Sequence, residues 1–98
     1  MTINKTQEGT TLNIALAGRL DTTTSPDLEA ELRDSLTGIT ELNFDLEKLE
    51  YISSAGLRVL LSVQKIMNRQ GKMVIRNVKP EIMEIFEVTG FVDILTIE

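Results

Sequence analysis

Apolar and polar residues alternate with period two along Thr11 to Ala17, where Leu12, Ile14 and Leu16 share one face. The same alternation runs along Thr40 to Leu46, with Leu42, Phe44 and Leu46 pointing one way and Asn43 and Asp45 the other. This pattern predicts half-buried strands. Thr2 to Gln7 is more weakly patterned and reads as an edge strand, joined to the next by a hairpin turn at Glu8-Gly9-Thr10. Gly18-Arg19-Leu20-Asp21 then leaves the sheet. Lys72 to Val78 holds the apolar run Met73-Val74-Ile75 and predicts a strand buried on both faces, hence parallel pairing. Phe91 to Ile97 adds a last short strand.

Between these strands the period changes. Leu28, Leu32 and Leu36 recur every four residues, behind a start signal in which Ser25 suits the N-cap and Pro26 the first helical position. Glu29, Glu31, Arg33 and Asp34 fall on the opposite, watered face, and Gly38 stops the helix. After the connector Glu47 to Ile52, the segment from about Ser54 to Arg69 is apolar around much of its circumference at Leu57, Leu60, Leu61, Val63 and Ile66. It predicts the best buried helix, ended by Gly71. Pro80 opens a third helix with Ile82, Ile85 and Phe86 inward, ended at Val88-Thr89-Gly90.

The resulting order, β-β-α-β-α-β-α-β, is an α/β class: an initial hairpin followed by alternating helices and strands implies a mixed sheet with right-handed crossovers. No repeat, linker or low-complexity segment divides the chain, so residues 1–98 read as one domain. At 42% hydrophobic residues, it has material for one core without disulfide or metal.

Composition narrows the chemistry. The chain has no Cys and no His, which removes thiol nucleophiles, imidazole bases and the usual transition-metal ligands. A net charge of −5 and little aromatic material argue against nucleic-acid binding. No signal-peptide core or membrane-length apolar run is present, so a cytoplasmic protein without membrane insertion is expected. Asp21, Asp45, Glu47 and Glu50 match no calcium loop and read as a solvated acidic rim, so no metal or other cofactor is expected. Ser54 lacks an activating His, and Ile52-Ser53-Ser54-Ala55-Gly56 lacks the first Gly of a nucleophile elbow, so no enzyme is expected.

What remains is the junction Tyr51-Ile52-Ser53-Ser54-Ala55-Gly56-Leu57-Arg58. Two hydroxyls stand where a buried helix begins. A helix start offers unpaired N–H groups and a partial positive charge, so the same place suits a capping serine or a phosphoserine. Gly56 lies in the first helical turn, where Gly costs about 0.5–1 kcal/mol relative to Ala, and so implies close approach by another surface, the chain's own sheet or a partner.

The chain resembles the STAS domain family of bacterial anti-sigma-factor antagonists. The resemblance covers essentially the whole chain and rests on Leu16-Ala17-Gly18-Arg19-Leu20-Asp21, on Leu42 to Leu46 continuing through Tyr51 to Leu57, and on Phe86-Glu87-Val88-Thr89-Gly90-Phe91. It implies a module that, when dephosphorylated, binds an anti-sigma factor serine kinase and so frees a sigma factor for transcription. A serine phosphatase resets the switch. It implies phosphorylation at Ser54, with Ser53 as the alternative acceptor, since this chain carries Ser53 where antagonists commonly carry Asp. Asp21, Ser53, Ser54, Gly56 and Leu57 become the expected partner-binding residues. Some members instead act without phosphorylation, scaffolding a transporter or larger signalling assembly, and this is the alternative expectation.

Overall fold

The computed structural model describes all residues, 1–98. Strands β1 (Thr2–Glu8) and β2 (Thr11–Leu20) form an antiparallel hairpin, turning at Gly9 with a φ of 63°. Helix α1 (Ser25–Ser35), strand β3 (Glu41–Ile52), helix α2 (Ser54–Gln70), strand β4 (Lys72–Arg76) and helix α3 (Pro80–Thr89) follow. The sheet order is β1-β2-β3-β4, with β2, β3 and β4 mutually parallel. Leu12, Ile14 and Leu16 of β2 and Leu42, Phe44 and Leu46 of β3 share one core with Leu28 and Leu32 of α1, Leu60 and Met67 of α2, and Phe86 of α3. The other face carries Asn13, Ala15, Asn43 and Asp45, partly exposed. The molecule is thus a sheet with its helices packed on one side.

Four departures from the sequence reading have local causes. First, β3 does not end at Leu46 but runs through the expected connector to Ile52. Its pairing with β2 shifts register between Ala15 and Ala17 and again between Gly18 and Arg19, each time leaving an extra residue on β3. These bulges change the spacing of buried residues from two to three, at Leu46, Leu49 and Ile52, and so erase the alternation that marks a strand. They also let β2 continue to Leu20 rather than leave the sheet at Gly18.

Second, the N-cap of α1 is Thr24, not Ser25, which is buried and donates its hydroxyl to the Asp21 carbonyl oxygen at 2.6 Å. Third, Phe91 to Ile97 forms no strand. A 3₁₀ turn over Phe91–Asp93 leads to a single parallel bridge between Ile97 and Ile75. Fourth, α2 buries Val59 and Gln64 but leaves Ile66 exposed and Leu61 only half covered. One side of a helix flanked by α1 reaches the sheet, so the apolar circumference is not buried all round. Met73, Val74 and Ile75 are all buried as the run predicts, with Met73 and Ile75 in the helix-covered core and Val74 outside it.

Gly71 ends α2 where a Cβ would strike the Thr40 carbonyl oxygen. That oxygen accepts the Lys72 N–H at 3.0 Å, so the absent side chain lets β4 enter beside β3.

Candidate functional site

Parallel pairing aligns the ends of β2 and β3, with Leu20 opposite Ile52. Asp21 and Ser53 therefore leave the sheet side by side, and the Ser53 N–H closes the ladder on the Leu20 carbonyl oxygen at 2.9 Å. The bulges in β3 set this alignment, because without them the longer strand would overrun its neighbour.

The two serines have different tasks. Ser53 is the N-cap of α2, with extended backbone at φ −97° and ψ 175°, and its hydroxyl oxygen accepts the Gly56 N–H at 3.4 Å. Its carbonyl accepts the Leu57 N–H at 2.9 Å, the first intrahelical bond. Ser54 is the first helical residue, exposed, and its hydroxyl has no hydrogen-bond partner in the chain. No carboxylate, lysine or other base is bonded to it.

Gly56 is buried. A Cβ there would lie 2.8 Å from Leu20 Cγ and 2.9 Å from Ile52 Cγ1. The close approach implied by this glycine is therefore that of the chain's own β2 and β3 ends. Leu57 is also buried, with its side chain in the core. Of the expected partner-binding residues, these two shape the helix start from inside, while Ser54 presents itself to solvent.

Asp21 is engaged by its own loop. Its Oδ1 accepts the Thr23 hydroxyl at 2.8 Å, the Thr23 N–H at 3.0 Å and the Thr24 N–H at 3.2 Å, and Arg19 Nε lies 3.6 Å from Oδ2. The Thr23 hydroxyl foremost, and then the backbone N–H groups, hold its carboxyl at about 2 against a partial opposing effect of burial. Thr24 ties the loop further, donating to the Arg19 carbonyl at 2.8 Å and accepting from the Asp21 N–H at 2.9 Å. No hydrogen bond joins Asp21 to either serine. Thr23 and Thr24 are the residues that sequence reasoning missed. The available signal was an Asp followed by hydroxyl residues two and three positions on, the pattern of an Asx turn.

Arg19 also places its guanidinium carbon 4.3 Å from the centroid of the Tyr51 ring, linking the last residues of β2 and β3. Beside the helix start, an open furrow of about 600 Å³ runs between Thr22, Ser25 and Glu29 on one wall and Ala55, Arg58 and Lys65 on the other. The carboxylates Asp45, Glu47 and Glu50 join no group of three able to hold a metal ion, and no helix is long and apolar enough to cross a membrane.

Comparison with known proteins identifies the family and the fold. A candidate anti-sigma factor antagonist, BtrV of Bordetella bronchiseptica, is 40% identical over 84 residues, 84% of this chain and 72% of that protein. Among solved structures, the anti-sigma factor antagonist SpoIIAA in its unphosphorylated form has a TM-score of 0.78 at 17% identity, over 99% of this chain and 87% of that one. SpoIIAA of Bacillus in its phosphorylated form has the same TM-score, 0.78, at 18% identity, over 99% and 91% of the respective chains. The family model for the STAS domain matches residues 2–98, and the chain belongs to the STAS family.

Proposed function

We propose that residues 1–98 act as one non-catalytic binding module, an anti-sigma-factor antagonist of the cytoplasm. In its dephosphorylated form it sequesters an anti-sigma factor serine kinase, and phosphate on Ser54 releases it. A serine phosphatase restores the binding form. The observation that carries this reading is the division of labour at the head of α2: Ser53 is spent on the cap, while Ser54 stands exposed with its hydroxyl free.

The physics of the helix start supports a switch without refolding. A phosphate adds about −1.5 to −2 charge and finds unpaired N–H groups and a favourable dipole at the first turn. The free fold can hold it, whereas a partner docked over Ser54 meets new bulk and charge in a desolvated contact. Spoiling one such contact costs about 2–5 kcal/mol of affinity. Asp21, bound up with Thr23 and Thr24, serves the site by fixing the loop beside Ser53 rather than by touching the acceptor.

The test is incubation with ATP and each serine kinase of the source organism, followed by intact mass measurement and site mapping. One phosphate on Ser54, absent in Ser54→Ala, is the expected result. Phosphate on Ser53 instead moves the site. No phosphate with any kinase, together with tight binding to a transporter or scaffold subunit, overturns the switch in favour of a phosphorylation-independent module. A free-state structure of Ser54→Asp that differs in fold from the wild type sinks the local mechanism.

A further inference from the structure

The charges of the three helices are sorted by sign. Helix α1 carries Asp27, Glu29, Glu31 and Asp34 against the single base Arg33, and α3 carries Glu81, Glu84 and Glu87 with no base. Helix α2 is the opposite: Arg58, Lys65 and Arg69, with no acid in its 17 residues. In a chain of net charge −5, this concentrates cations on one element.

The three cations also share one line. Arg58 and Lys65 are seven residues apart, two helical turns or about 10 Å, and Arg69 follows one turn later. Ser54 precedes Arg58 by four residues and lies on the same stripe. All four are exposed, as is Ser62 between them, while the buried side of α2 runs through Gly56, Leu60, Val63 and Met67.

The stripe has no internal use. The five ion pairs of the molecule employ Lys5, Arg19, Arg33, Lys72 and Arg76. None of Arg58, Lys65 or Arg69 has a carboxylate within ion-pair distance, although Glu29 shares the furrow with Arg58 and Lys65. Instead, Glu29 is taken by Arg33 at 3.3 Å. Arg69 suits the negative end of its helix, but Arg58 lies near the positive end, where a cation is disfavoured. Local helix electrostatics therefore do not account for the line.

We infer that the exposed face of α2, from Ser54 through Arg58, Lys65 and Arg69, is the surface that receives an acidic face of the partner protein. This rests on the reading of Ser54 as the switch and extends it to the partner's chemistry: carboxylates spaced to meet cations about 10 Å and 6 Å apart along a helix. Phosphate on Ser54 then works at the head of the stripe as well as at the point of contact. Its charge of about −1.5 to −2 cancels half to two-thirds of the three positive charges and repels the same carboxylates.

The experiment measures association of the full chain with the purified anti-sigma serine kinase, by stopped flow and at equilibrium, across ionic strength. Wild type should associate faster at low salt, with a steep fall as salt rises. Arg58→Ala/Lys65→Ala/Arg69→Ala should bind at least about tenfold more weakly and lose most of the salt dependence. Lys48→Ala/Lys79→Ala, which removes unpaired cations elsewhere, should bind as wild type does. Circular dichroism and unfolding midpoints verify that each variant is folded. Equal affinity and equal salt slope for wild type and the α2 variant overturn the inference while leaving the antagonist reading intact. Failure of wild type to bind the kinase at all overturns the reading, and the inference with it. Binding of wild type, but not the α2 variant, to vesicles of anionic phospholipid in place of kinase reassigns the stripe to a membrane surface and likewise overturns it.

Discussion

Ser53 and Ser54 are neighbours in sequence with separate physical roles, and substitution should part them. Ser53→Ala loses a 3.4 Å cap bond to the Gly56 N–H, a long one, so the cost should sit at the low end for caps, about 0.5–1 kcal/mol, read from the shift in a urea unfolding curve. Ser54→Ala removes a hydroxyl bonded to nothing in the chain and should leave that curve in place while abolishing phosphate transfer to this position. Asp21 has a different signature. Its carboxyl sits at about 2 in the folded protein, below its ordinary 3.8, so the folded state favours the charged form. That stabilisation is complete above about pH 4 and is lost as the pH falls toward about 2. Unfolding midpoints of the wild type should drop across that window, and those of Asp21→Asn should show a shallower drop. Equal slopes would detach the carboxylate from the Thr23 and Thr24 bonds that explain it.

At the scale of elements, the strand–helix junction depends on two glycines that bring surfaces together. In Gly56→Ala, the new methyl meets Leu20 and Ile52, both fully packed, so the gain in helix propensity is outweighed and a net loss of about 1–3 kcal/mol is expected in denaturant unfolding. Gly71→Ala should cost more, because the obstacle is the Thr40 backbone rather than a side chain. The elements themselves were largely readable. Leu28, Leu32 and Leu36 do line the core, and Pro26 and Pro80 do stand at helix starts. The second half of β3 was not readable, because bulges at Leu46–Glu47 and Glu50 replace a period of two by a period of three. The N-cap of α1 was misplaced by one residue because Asp21, four positions before Ser25, bonds the loop amides and makes the serine hydroxyl available for a backbone carbonyl.

For the whole molecule, one core couples the sheet to every helix, and Phe44 of β3 belongs to it at 1% exposure. Phe44→Ala should cost about 3–5 kcal/mol, a large part of the ~5–15 kcal/mol stability of a domain this size. Both the unfolding curve and any binding to the kinase should shift together. The exposed edge strand β1, with only Ile3 partly covered, should instead exchange its amide hydrogens first.

The order of elements through α3 and the serine-bearing helix start are fixed by local facts: periodicity, caps and stops that each span a few residues. The C-terminal segment after Gly90 was not, since its one bridge to Ile75 is a contact between distant residues. The roles within the site depended on contacts between distant segments. Whether Gly56 faced a partner or the chain's own sheet turned on where Leu20 and Ile52 come to rest, and Asp21 was drawn away from the serines by hydroxyls two and three residues on. The cationic line of α2 lay in the sequence at helical spacing. Its lack of ion pairs did not, since pairing is decided by which acids folding brings near, and Glu29 is brought to Arg33 instead.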